Sequence, residues 1–128
     1  MDFRRALLNM SIHIRRFKSA GRHAIAKYLF VYHGGKPPTD AAETKRVHDA
    51  WGAWFGSLGA SIVDGGNPVG KSSTVLPDGS LVSNGGPNPV SGYSLIEASN
   101  LADAHKKARG CPLLQAGGSV EIAEALDM

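Results

Sequence analysis

The chain has 128 residues, 42% hydrophobic and 20% charged, which is the size and composition of a single globular domain. Its net charge of +3 is uneven: residues 1–27 hold seven basic side chains against one acid, whereas residues 28–128 hold seven against ten. A basic face for nucleic acid is therefore not expected outside the first 27 residues, and no apolar run is long enough to cross a membrane.

One cysteine, Cys111, cannot form an internal disulfide, so the expected setting is reducing and cytoplasmic. Residues 1–26 form a basic N-terminal extension whose apolar residues (Phe3, Leu7, Leu8, Ile12, Ile14, Phe17) are loosely periodic. Three readings stand side by side: an organelle transit peptide, a basic amphipathic helix for a membrane surface or partner, and an upstream extension to a domain that starts near Ala26. The folded pattern begins abruptly at Lys27, which favours the last.

Lys27 to His33 (KYLFVYH) is short, aromatic and β-branched, and it stops at Gly34-Gly35: a strand. Tyr28, Phe30 and Tyr32 point to one face, Leu29, Val31 and His33 to the other. Both faces are largely apolar, so both need cover. Thr39 or Asp40 caps a helix running from Ala41 to about Leu58, with Val47, Trp51, Trp54, Phe55 and Leu58 on one stripe and Gly59 at its end. Ser61 to Asp64 is a short strand, halted by Gly65-Gly66-Asn67-Pro68. Ser73 to Leu76 and Leu81 to Ser83 flank Pro77-Asp78-Gly79-Ser80, a hairpin turn. After a Gly/Pro loop, Gly92 to Ala98 is a strand. Asn100 caps a helix from Leu101 to Arg109, with Asp103 placed for a capping box. Ser119 to Glu124 is the last strand.

The order β-α-β, hairpin, β-α-β predicts an α+β fold: a ferredoxin-like split βαβ sheet with an inserted hairpin and both helices on one face. The opposite, apolar face would be covered by a second copy, sheet against sheet, in a symmetric homodimer.

The ordered segments KYLFVYHGG, ASIVDGGNP, the hairpin at Pro77-Asp78-Gly79, SGYSLIEASNLADAHKKARGCPLL and GGSVEIAEAL resemble the YCII-related family of dimeric α-β barrel proteins over residues 27–126. Ser83-Asn84-Gly85-Gly86-Pro87 is similar to the Asp-Gly-Pro-Phe loop of one branch, but lacks the Asp and Phe and is shorter. The resemblance implies the fold and the dimer. It implies no activity, since most members have none known.

Candidate chemistry is sparse. Gly65 to Ser72 (GGNPVGKS) satisfies the phosphate-loop pattern, yet the residues after Lys71 are strand and turn formers rather than the helix that pattern requires. His48 lies at the border of the apolar helix stripe, where an imidazole can reach a cavity and act as general base. The resemblance adds that some YCII-like proteins place an acid–base His eleven residues before the helix-ending Gly, as His48 stands to Gly59. The matching acid is absent, because Ser57 and Leu58 occupy its place. Asp64 would substitute only through the fold. The plainer reading makes His48 a boundary residue.

His33, at a strand end, Trp51 and Tyr93 are candidates for a ligand pocket; each is also ordinary as a strand-end or core side chain. His105 reads as structural and Cys111 as a small buried hydrophobe. No His pair has metal-ligand spacing and no dinucleotide fingerprint is present, so neither metal nor cofactor is expected. Two functions remain: a homodimer that binds a small organic molecule, or an acid–base enzyme of lyase or isomerase type acting on a small organic acid or aromatic compound.

Overall fold

The computed structural model describes residues 25–127. The basic character assigned to the N-terminal extension falls almost wholly outside them.

Strand β1 (Ala26–His33) buries Tyr28, Phe30 and Tyr32 on one face. Helix α1 (Ala41–Leu58) starts at Asp40, whose carboxylate accepts the Glu43 N–H at 2.8 Å. It ends at Gly59, whose φ of 55° few other residues tolerate. Strand β2 (Ile62–Pro68) is longer than the sequence suggests: it continues through Gly65-Gly66-Asn67-Pro68 instead of stopping there. It does so as an edge strand with two register shifts against its neighbour, and edges and bulges are where a sheet tolerates Gly and Pro. At Gly66 (φ 72°) a Cβ would collide with the Tyr93 carbonyl, so only glycine fits.

Strands β3 (Thr74–Val75) and β4 (Leu81–Val82) form a separate hairpin, its turn held by Asp78 accepting from the Ser80 N–H and hydroxyl. A strand therefore comes after Lys71, and the phosphate-loop pattern has no helix N-terminus behind it. Strand β5 (Val90–Ala98) leads to helix α2 (Leu101–Ala108), capped by Asn100 accepting the Asp103 N–H. Asp103 reaches back one residue further than a standard capping box, to the Ser99 N–H and hydroxyl. Its 2.7 Å bond from Lys107, with the Ser99 N–H, lowers its pKa to about 2. A 3-10 turn (Pro112–Ala116) connects to strand β6 (Ser119–Ala125).

Among the described residues the fold is α+β: a four-stranded sheet ordered β2-β5-β1-β6, every pairing antiparallel, with two helices. Tyr28, Phe30, Tyr32, Ile96 and Ala98 from the sheet meet Trp54 and Leu58 of α1, Ala104 and Ala108 of α2, and Cys111. Alanines on α2 bring that helix close to the sheet, leaving the volume to α1's aromatics. Trp54 stacks on Phe55 and Phe30, and its indole N–H donates to the Lys107 carbonyl at 3.0 Å, tying the helices together. Leu29, Val31 and His33 share the other face with their cross-strand partners Leu95, Tyr93 and neighbouring Glu121. Neither helix lies on that face.

Candidate functional site

A cleft of about 1270 Å³ opens between α1, from Glu43 to Phe55, and one end of the sheet. Four segments wall it. The α1 stripe contributes Val47, His48, Trp51 and Phe55; the end of β1 contributes Tyr32 and the Gly34–Pro38 turn. The β2 end and β5 start supply Gly65 to Pro68 and Ser91 to Tyr93, and the 3-10 turn supplies Leu113 and Ala116.

The helical period explains the first wall. Residues three and four apart share a face, so the apolar stripe that anchors α1 at Trp54 and Leu58 reaches the cleft at Val47 and Trp51. Trp51 is half-buried and meets Tyr32 edge-on, ring centroids 5.1 Å apart. The second wall depends on Gly35: with φ 91° it seats the turn against Leu113, into whose side chain a Cβ would run. The third depends on Gly92, which leaves room for the Tyr32 ring.

The floor carries a buried polar chain. The Tyr32 hydroxyl donates to Ser94 Oγ at 2.7 Å, and Ser94 donates to the Gly65 carbonyl at 2.7 Å. Burial pushes the Tyr32 pKa up to about 12, so the phenol keeps its proton and its donor role. This chain locks the bulged part of β2 to the centre of the sheet.

The structure brings His48, Trp51 and Tyr93 to this cleft; His33 and Asp64 are not among its walls. His48 is exposed on α1, and the described residues give it no hydrogen-bond or ion-pair partner. Asp64 is exposed on β2, with its carboxylate accepting the Gly66 N–H at 2.8 Å. Tyr93 shares the Val31 face, and its hydroxyl accepts from Asn67 Nδ2 at 3.3 Å. His33 is buried at the end of β1 and pairs with Glu121 at 2.8 Å, its other ring nitrogen 3.3 Å from the Pro89 carbonyl. The bond to Glu121 raises the His33 pKa against the opposing effect of burial. Cys111 is buried and its pKa is pushed up to about 11 by that burial, which leaves the thiol protonated and inert.

Sequence reading missed the polar rim. Lys36, Glu43 and Arg46 all line the cleft. Glu43 accepts from the Thr39 hydroxyl at 3.0 Å and lies 4.0 Å from Arg46, whereas the Lys36 ammonium has no partner among the described residues. The readable signal was Gly34-Gly35-Lys36-Pro37-Pro38, a turn too stiff and too glycine-dependent for a plain connector. Among the described residues, no group of three or more His, Cys, Asp or Glu is placed to hold a metal ion, and no helix is long and apolar enough to cross a membrane. Comparison with protein-family models, with curated proteins and with solved structures returned no significant match.

Proposed function

We propose that this protein is a small-molecule-binding homodimer of the YCII-related, ferredoxin-like kind, holding an organic ligand in the α1–sheet cleft without transforming it. The carrying observation is the cleft: aromatic walls from Trp51, Phe55 and Tyr32, with Lys36 and His48, whose side chains have no partner among the described residues, among its polar groups. Concave, largely apolar sites with a few convergent polar groups are the usual form of ligand pockets. The strand order β2-β5-β1-β6, with both helices on one face, supports the ferredoxin-like description once the hairpin is set aside. The apolar row Leu29, Val31 and Leu95, on the face that neither described helix covers, supports pairing with a second copy.

The test is a thermal-shift screen of small carboxylates and phenolics on the whole chain, repeated with Gly52→Trp. Gly52 lines the cleft, and a Cβ there meets nothing within 4 Å, so the variant fills the cleft at little cost to folding. A ligand at a hundred times its Kd stabilises by about 2.7 kcal/mol, and that shift should vanish in the variant. A shift that survives it places the ligand elsewhere. For the dimer, light scattering should give twice the 13.5 kDa chain mass.

One observation favours a second reading, an acid–base enzyme. His48 lines the cleft and its imidazole has no partner among the described residues, which leaves it available as a general base. His48→Ala separates the two: it leaves ligand stabilisation nearly intact in a binding protein, and abolishes turnover of the identified ligand in an enzyme.

A further inference from the structure

The two most exposed large apolar side chains among the described residues are Leu81 (70%) and Val75 (67%). They are cross-strand partners in the β3–β4 hairpin, so they share one face. Leu76 and Val82 are also exposed. A two-stranded hairpin alone is marginally stable in water, and this one carries an apolar face that the other described residues leave wet.

Its roots lie at the cleft. Pro68 and Ser91 both line the cavity, and the Val69 N–H donates to the Ser91 carbonyl at 3.0 Å, clamping the two feet together at the rim. None of the cavity's walls comes from residues 69–90, and the cavity is only partly enclosed. Each foot carries glycine: Gly70 in one, Gly85 and Gly86 in the other, with φ 88° at Gly86. Nine residues separate the rim from the turn, a reach of roughly 30 Å when extended, enough to span the opening.

We infer that the β3–β4 hairpin is the missing wall of the cleft: it folds over the bound ligand, and Val75 and Leu81 contact it. This rests on the cleft being the ligand site. An exposed apolar hairpin beside an open apolar cleft loses surface to water on both sides when it closes. The glycines at its feet supply the backbone freedom for that motion, and the clamp at Val69 and Ser91 fixes where it pivots. Leu81 and Val75 are then selectivity residues for the apolar part of the ligand.

The test uses 8-anilinonaphthalene-1-sulfonate, an aromatic anion, titrated by fluorescence into the full chain. Gly52→Trp should abolish binding. Val75→Ser/Leu81→Ser should weaken it about tenfold, through loss of two apolar contacts. Unchanged affinity in the double serine variant, with binding lost in Gly52→Trp, overturns the hairpin inference and leaves the cleft reading intact. Binding unaffected by Gly52→Trp places the dye outside the cleft and overturns both. A second measurement does not depend on affinity. Gly52→Cys/Leu81→Cys, oxidised with dye bound, should give an intrachain disulfide. A crosslink between chains would assign the hairpin to a second copy, and no crosslink would mean the hairpin stays away; either result overturns the inference.

Discussion

The two faces of β1 are built from similar material and have different fates. Tyr28, Phe30 and Tyr32 are buried beneath two helices; Leu29, set between two of them along the strand, keeps 38% of its surface, and His33 relies on Glu121. Strand alternation sorts side chains into two sets, but a set is buried only if another element has apolar surface to lay on it. Here α1 and α2 carry one such stripe each, and both are spent on the same face. Among the described residues, the difference explains why this sheet carries a packed core on one side and no helix on the other.

Substitutions can test that contrast directly. Phe30→Ala removes a fully buried ring stacked near Trp54 and should cost about 3–5 kcal/mol in urea unfolding. A loss below about 1 kcal/mol would mean that the inner face is looser than its packing implies. Gly66→Ala attacks the edge that carries the cleft's third wall. The positive φ and the collision with the Tyr93 carbonyl should cost about 1–3 kcal/mol and loosen the cleft, visible as faster amide exchange in β2. Tyr32→Phe deletes the hydroxyl that donates to Ser94 and should cost about 1 kcal/mol while leaving the aromatic packing in place.

Leu29→Ala, on the helix-free face, should cost less than about 1 kcal/mol in dilute solution, because the side chain is already partly wet. A larger cost that grows with protein concentration would sharpen the contrast, since it would show that a second copy covers this face.

The smallest effect is expected at His33. Its pKa is raised in the folded state above the 6.5 of the free side chain, so the pair with Glu121 stabilises fully below that value. The contribution fades as pH rises through the folded-state pKa. Glu121 is largely exposed, so solvent screening holds the effect to roughly 0.5 kcal/mol. His33→Gln should therefore be more destabilising below the 6.5 of the free side chain than at a pH above the raised folded-state pKa. Equal cost at both values would show that the contact works as a neutral hydrogen bond.

Much of the fold was legible because its signals are local. Asp40 and Asn100 cap their helices with the side-chain geometry their residue types favour, Gly59 ends α1, and Asp78-Gly79 turns the hairpin. The end of β2 was not legible. Gly-Gly-Asn-Pro stops a strand by composition, yet the Tyr32–Ser94–Gly65 chain and the bulged pairing with β5 hold it in the sheet. Of the residues singled out in the sequence, His48, Trp51 and Tyr93 line one cleft. His33 and Asp64 are plausible residue types whose backbone carries them elsewhere, and the rim residues Lys36, Glu43 and Arg46 had no motif to mark them.

By itself, then, the sequence determined the elements, their order and their caps, because these depend on residues within a few positions of one another. The tertiary structure decided which face of β1 is core, how far β2 runs and which side chains meet in the cleft. Those outcomes depend on contacts between distant residues, such as Trp54 with Lys107 and Gly66 with Tyr93, that no local pattern encodes. The two apolar faces of Lys27–His33 were visible from the outset; only the placement of the two described helices showed which one they cover.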